Sequence, residues 1–302
     1  MGVIINKIML RNLSVKAPAK INLYLKVMPK RPDGFHNIES IFQKIPLFDD
    51  ITVIQSDLSN TCRVECKEMK LPIENTITSM YREFVKVTGI TKGVNVILKK
   101  RIPSGAGLGG GSSDAASFLE ALNRFFNTKL NHNTKHTLAT KIGSDVPFFL
   151  GPDCALVTGR GDIIREIPVR KDLFFVLVIP DVHSSTKEAY AFVDEWMEQH
   201  IEKSVLSMAD LEYMYENNVS DWTFSNTFSD SQIYHYPEIG KALSDIRLSG
   251  ALFAEMSGSG SSVFGVFLSE KKAKAATDLL LHKWKRCLMV SSSDFSCVAG
   301  IQ

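Results

Sequence analysis

Between Pro103 and Ala116 the chain reads Pro-Ser-Gly-Ala-Gly-Leu-Gly-Gly-Gly-Ser-Ser-Asp-Ala-Ala, and five of the seven positions from Gly105 to Gly111 are glycine. A loop with so little side-chain bulk can visit positive φ and bring its backbone N–H groups close to a ligand. Directly beyond it, Ala115, Ala116, Phe118, Leu119, Leu122, Phe125 and Phe126 recur at helical spacing, which predicts a helix with Ser112 or Ser113 as its N-cap. A glycine loop that opens a helix aims unpaired N–H groups and the positive dipole end at one place. The chemistry this predicts is the cradling of a phosphate.

Other glycine loops fit less well. A Walker A loop ends in Gly-Lys-Ser/Thr, and no lysine lies between Pro103 and Ala116. Gly105-Ala-Gly107-Leu-Gly109-Gly110 satisfies a dinucleotide pattern, yet that pattern should follow a buried strand and meet an acidic residue about 20 positions on. Here Lys99-Lys-Arg-Ile-Pro103 precedes it, and Asn127 to Asn133 is polar loop. A flexible linker would not stand between a strand-like run and so regular a helix.

Three further groups of side chains have chemical potential. Lys20, Asn22, Tyr24 and Lys26 alternate with Ile21, Leu23 and Leu25, so a strand would carry them on one face, where simple solvent exposure is the plainest reading. Phe35 and His36 end the polar loop Pro29–His36, and such a pair can stack on and hydrogen-bond a planar heterocycle. Asp145 follows Gly143 and Ser144 in a turn and precedes the apolar Val146–Phe149, a placement open to a turn residue or a general base. His132 and His136 lie four apart without a third ligand, and no metal site is expected from them. Ser257-Gly-Ser-Gly-Ser-Ser262 is a second small-residue loop, either a hairpin or another wall of the phosphate site.

The elements that must position these groups follow from periodicity. Leu13 to Val27 predicts two strands broken at Ala17-Pro18-Ala19. Ile38–Ile45, Asp50–Gln55, Thr61–Cys66 and Val94–Lys99 predict four more. Asn75 should cap a helix that ends at Gly89, and a second helix is expected at Lys135–Ile142. Gly159–Asp162 reads as a tight turn. Beyond Pro168–Asp172, strands are expected at Phe174–Ile179, Leu252–Met256, Val263–Leu268 and Cys287–Ser291. Helices are expected at Thr186–Gln199, Met208–Asn217, Glu238–Ser249 and Glu270–Trp284.

At 302 residues the chain is long enough for two domains, expected at 1–168 and 169–302. A net charge of +2 gives no reason to expect nucleic acid or a membrane surface as partner. Cys62, Cys66, Cys154, Cys287 and Cys297 form no Cys-x-x-Cys pair and are odd in number, which fits reduced thiols. Met1–Leu10 lacks a cleavage site and is not rich in arginine and serine, and Asn6 spoils a myristoylation pattern. A cytoplasmic protein is expected.

Three separated segments, Pro103–Ala116, Ala17-Pro-Ala-Lys20-Ile-Asn22 and Met256–Ser262, resemble the three motifs of the GHMP kinases. Arg31-Pro-Asp-Gly-Phe-His36 and Gly143–Phe149 resemble the branch that acts on a cytidine-diphosphate-linked methylerythritol. The resemblance spans about residues 16 to 268. It implies an α+β protein of two domains, a ribosomal-protein-S5-like ATP-binding domain and a ferredoxin-like substrate domain. It also implies ATP-dependent phosphorylation of the 2-hydroxyl of that substrate, with Mg2+ accompanying ATP, in a monomer or homodimer.

By the same resemblance, Asp145 matches the catalytic base and Lys20 the lysine that keeps it ionised. ATP is expected against Pro103, Ser104, Gly105, Ala106, Gly107, Leu108, Gly109, Gly110, Gly111, Ser112 and Ser113, with Asn75 and Lys100 at the adenine. Asn22, Phe35, His36, Thr186 and Tyr190 are expected at the substrate, with Phe35 and Tyr190 sandwiching cytosine and His36 reading its edge. Phe35 stands where the family has tyrosine, and Ser144 replaces a common alanine. Asp114 either compensates the helix dipole or holds Mg2+ through water. A homoserine or mevalonate kinase should lack the Phe35–His36 pair. A non-catalytic sensor should lose Lys20 and Asp145, and both are present.

Overall fold

The computed structural model describes residues 11–182, 184–199 and 206–293. Met1–Leu10 and Cys297 lie outside the described residues. The alternating run near the N-terminus forms one strand, β1 (Asn12–Lys30), antiparallel to an equally continuous β2 (His36–Ser59). The predicted breaks are register shifts instead: Pro18/Ala19 and Asn22/Tyr24 are irregular, but the ladder continues across them. A bulge lets a proline or a bent segment stay in a sheet because only one residue leaves the ladder.

Around this pair a six-stranded sheet assembles. β3 (Cys62–Cys66), β4 (Lys92–Lys99), β5 (Cys154–Thr158) and β6 (Ile163–Glu166) complete it, in the order β3-β4-β2-β5-β6 with β1 on β2. β5 and β6 have no counterpart among the expected strands; Gly159–Asp162 is the turn between them. α1 (Thr76–Thr88) begins where Asn75 accepts from the N–H groups of Ile77 and Thr78, and it stops at Gly89, whose φ of 69° is left-handed. α1 and α2 (Gly110–Phe125) carry the apolar residues that meet the sheet, and α3 (His132–Ile142) packs on α1 and α2. Ile77, Phe84, Phe118 and Leu122 join Val53, Val96 and Val157 in one buried cluster. A four-residue α4 (Val146–Phe149) follows Asp145.

The second half forms a four-stranded antiparallel sheet of β7 (Phe174–Val178), β8 (Phe253–Met256), β9 (Val263–Phe267) and β10 (Cys287–Ser291), in the order β10-β7-β9-β8. With helices between β7 and β8 and between β9 and β10, this is a ferredoxin-like arrangement. α5 (Thr186–Gln199), α6 (Met208–Glu216), α7 (Phe228–His235), α8 (Pro237–Leu248) and α9 (Glu270–Leu281) supply the helices, and α7 is an addition to those expected from periodicity. No helix among the described residues is long and apolar enough to cross a membrane.

A second buried cluster joins the two sheets. Ile21, Leu23 and Ile41 from β1 and β2 meet Phe175, Leu177 and Phe264 from β7 and β9. This explains a departure from the sequence reading. From Ala19 to Val27 both faces of β1 are buried, so Lys20, Asn22, Tyr24 and Lys26 face protein rather than solvent. Lys20 and Asn22 on the predicted wet face lie against the glycine loop and the cavity, while Ile21 and Leu23 on the other face lie under the second sheet, and no periodicity in β1 itself encodes either cover.

Phe118 is fully buried on α2, between the sheet and the neighbouring helices. Truncating such a ring removes its transfer energy and leaves a cavity, so Phe118→Ala should cost about 3–5 kcal/mol. Denaturant unfolding of the purified variant measures it; a loss below about 1 kcal/mol would contradict this packing.

Candidate active site

Where the two halves meet, a cavity of about 410 Å3 is lined by the glycine loop, Lys20, Asn22, Thr76, Asp145, Thr186, Tyr190 and the 258–259 backbone, among others. α2 starts at the loop's end, but neither Ser112 nor Ser113 is its cap. The N-cap position is Gly109, with φ 71°, and it offers no side-chain hydrogen bond. Both serines lie inside the first turn, and Ser113 donates its backbone N–H to Gly109 O at 2.9 Å. The difference has a physical sense. A side-chain cap would occupy the first-turn N–H groups, whereas a bare αL glycine leaves them free for an anion.

The opposite wall is the Ser257–Ser262 loop. A Cβ on Gly107, whose φ is +75°, would lie 1.9 Å from Ser257 O, so the two loops touch backbone to backbone. Ser257 Oγ ties them together: it accepts from Asn22 N at 3.2 Å and donates to Gly107 O at 3.0 Å. Asn226, just before α7, donates its amide to Met256 O and Gly258 O, each at 2.8 Å. The loop is the hairpin between β8 and β9, and its Gly258 and Ser259 line the same cavity as the glycine loop.

Lys20 and Asp145 face one another at the cavity floor. Lys20 is 3% exposed, its Nζ lies 3.5 Å from Asp145 Oδ2, and it donates to Asn22 Oδ1. It also sits 4.4 Å from the centroid of the Phe42 ring. Burial pushes the Lys20 ammonium below the ordinary lysine range, against the opposing pull of Asp145. The Asp145 side chain is about one-third exposed, open to the cavity. Asn22 in turn donates to Ser40 Oγ at 3.0 Å, which fixes which way its amide points.

Of the aromatic residues expected at the substrate, Tyr190 lines the cavity and Phe35 lies outside its lining. Tyr190 stacks on His36, with ring centroids 5.0 Å apart, and meets Phe228 edge-on. Burial pushes the Tyr190 hydroxyl up to about 12, with Asp145 adding to the shift. His36 donates Nδ1–H to Met28 O at 2.8 Å, and its Nε2 lies 3.3 Å from Asp194 Oδ1. Phe35 is 48% exposed, and the Arg160 guanidinium stands 3.5 Å from its ring centroid. Thr186 shares a 3.3 Å hydrogen bond with Ser259 Oγ.

Two expected adenine contacts are turned elsewhere. Asn75 uses its side chain to cap α1 and to donate to Pro72 O, and its neighbour Thr76 lines the cavity instead. Lys100 is held beneath the loop by Asp49 and Asp114, so Asp114 is a buried ion-pair partner. Phe42, Thr76 and Phe228 also belong to the site and escape a reading of the sequence, because nothing in their local sequence sets them apart from core residues.

The residues 75–151 match the family description of the GHMP kinases N terminal domain, and 209–285 match that of the GHMP kinases C terminal domain. The chain belongs to the GHMP kinases, which are ATP-dependent small-molecule phosphotransferases. It is 37% identical to 4-diphosphocytidyl-2-C-methyl-D-erythritol kinase of Treponema pallidum over 287 residues, covering 93% of this chain and 99% of the relative. It is equally 37% identical to the kinase of that name from Thermodesulfovibrio yellowstonii, covering 91% and 96%. A crystal structure of 4-(cytidine 5'-diphospho)-2C-methyl-D-erythritol kinase superposes with a TM-score of 0.77 at 28% identity, covering 92% of this chain and 98% of that one.

The glycines of the loop are not equivalent. Gly107→Val would collide with Ser257 O and should weaken ATP at least tenfold, about 1.4 kcal/mol. A Cβ on Gly111 would have no atom nearer than 3.9 Å, and φ there is not strained, so Gly111→Ala should stay within about 0.5 kcal/mol of the parent stability. Calorimetric ATP titration and thermal melts of both variants test the contrast; equal effects would remove the loop–loop contact from the account.

Proposed function

We propose that this protein transfers the γ-phosphoryl group of ATP to the 2-hydroxyl of 4-diphosphocytidyl-2-C-methyl-D-erythritol, in the cytoplasm. The observation that carries the reading is the Lys20–Asp145 pair, set across one cavity from a glycine loop whose helix start lacks a side-chain cap. The first-turn N–H groups of α2 bind the phosphates, and Mg2+ enters with ATP as its counter-ion. Asp145 takes the proton of the substrate hydroxyl. The freed oxygen attacks Pγ, the bond from Pγ to the bridging oxygen breaks, and ADP leaves. Lys20 orients the Asp145 carboxylate and holds Asn22 toward the hydroxyl.

The cytosine docks at Phe35, His36 and Tyr190. Phe35 keeps the stacking surface of a tyrosine without its hydroxyl, and Arg160 covers that surface until the base arrives. A sibling kinase for homoserine or mevalonate would leave this aromatic group without a ligand.

Asp145→Asn should keep the fold and ATP binding while lowering kcat about 10²–10⁴-fold, the usual worth of a positioned base. Near-parental turnover in that variant would reduce Asp145 to a turn residue. Phe35→Ala should raise KM for the cytidyl substrate roughly tenfold and leave KM for ATP unchanged, since one stacked base is worth about 1–3 kcal/mol. Cytidine diphosphate should compete with the substrate in the parent and less well in the variant. Steady-state kinetics with both substrates varied decides it, and an untouched substrate KM would move the base elsewhere.

A further inference from the structure

Beneath the glycine loop lies a buried cluster that the reaction does not use. Asp49, fully buried on β2, accepts the backbone N–H groups of Arg101 at 2.6 Å and Ile102 at 2.8 Å through Oδ1. Its Oδ2 accepts from Lys100 Nζ. The same ammonium donates to Asp114 Oδ2 on α2 at 2.9 Å. The residues that enter the loop and the helix that leaves it are thus fastened to one ammonium. That ammonium lies directly under the loop, since a Cβ on Gly110 would stand 3.1 Å from it. The other oxygen of Asp114 has no hydrogen-bond partner although it is buried.

We propose that Asp114 is a positioning residue of the nucleotide site and takes up a proton from solvent, on its unpartnered oxygen, when phosphates bind to the loop above it. The inference rests on reading the loop as the ATP phosphate site. Its ground is a charge imbalance. Two buried carboxylates share one ammonium, which leaves one excess negative charge where a polyphosphate arrives. Burial has already pushed the Asp114 carboxyl up to about 7, with Asp49 adding to the shift and Lys100 opposing it.

The charged groups that bear on Asp114 are Lys100 at the end of β4 and Asp49 on β2. Lys20 of β1 lies on the cavity side and pairs with Asp145. The residues α1 buries, Ile77, Met80, Tyr81 and Phe84, carry no charge at neutral pH.

The sign follows from linkage. Added negative charge favours the neutral acid, so nucleotide binding draws a proton in at any pH where Asp114 is ionised beforehand. Protonation also gives the bare carboxyl an O–H and removes the excess charge, while Lys100 stays bound to Asp49. Nucleotide affinity should therefore fall as pH rises above 7, and Asp114→Asn, neutral throughout, should not show that fall.

Titration of the purified full chain with MgATP at about pH 8, in two buffers of different ionisation enthalpy, counts the proton directly. ATP is already fully ionised there and contributes none of it. The expected result is an uptake of a few tenths of a proton per nucleotide in the parent and none in Asp114→Asn. The ratio of the two dissociation constants should be near one at about pH 6 and grow towards about tenfold, with the parent weaker, at about pH 8.5, if binding raises the Asp114 pKa by about one unit. Identical heats in both buffers for the parent would overturn the inference even if the variant did not fold, and so would a ratio independent of pH. MgATP that bound normally without proton uptake would leave the phosphate site standing, whereas no MgATP binding would bring both down.

Discussion

A lysine ammonium that is almost wholly withdrawn from water is the constraint around which this site is built. Taking Lys20 out of solvent is costly unless charge and dipoles replace the lost hydration. Asp145, Asn22 and the face of Phe42 do so together, and each comes from a different part of the chain. The lysine backbone donates to Leu108 O at 3.0 Å, so the same residue also fixes where the glycine loop runs. Gly109 must be glycine for this, because a Cβ there would lie 3.0 Å from Lys20 Cγ and 2.8 Å from the Phe149 ring. The Lys20–Asp145 pair, the glycine loop and the aromatic floor are thereby mutually dependent.

The second dependence is between the two sheets. β1 is buried on both faces because α2 covers one and the ferredoxin-like half the other, and the Ser257 hydrogen bonds to Asn22 and Gly107 join the halves next to the cavity. A small-molecule kinase needs its donor and acceptor held in line and shielded from water, since positioning and charge neutralisation supply most of its rate. Here the glycine loop belongs to one half and its opposing wall to the other. Their backbones approach too closely at Gly107 and Ser257 for any side chain to intervene. A change at that contact therefore reaches both substrates' sites.

What can be read from the chain alone is whatever is local. Five glycines in seven positions, a helical spacing from Ala115 to Phe126, and a capping asparagine before a helix ended by glycine are patterns within one short window. Features made by distant residues are not legible in this way. Lys100 looks available for a nucleotide in the sequence, and only the fold shows Asp49, some 50 positions earlier, and Asp114 closing on it. Propensity places the helix cap at a serine, whereas the fold puts a left-handed glycine there. Proline and a polar patch divide the strands β1 and β2 on paper, because a ladder that continues across a bulge leaves no mark in one strand alone. Nor does the local sequence show that Arg160 stands over Phe35 or that His36 stacks on Tyr190, since both contacts join distant segments.

The central claim is that one cavity brings the terminal phosphorus of ATP to a hydroxyl of the cytidyl substrate beside Asp145. Following the purified protein with MgATP and 4-diphosphocytidyl-2-C-methyl-D-erythritol by phosphorus NMR tests it most directly. The account predicts that ATP signals give way to those of ADP while one new phosphomonoester signal grows in equal amount, with the substrate's diphosphate linkage intact. Inorganic phosphate in place of that signal, or ATP left unchanged alongside this substrate, would contradict it.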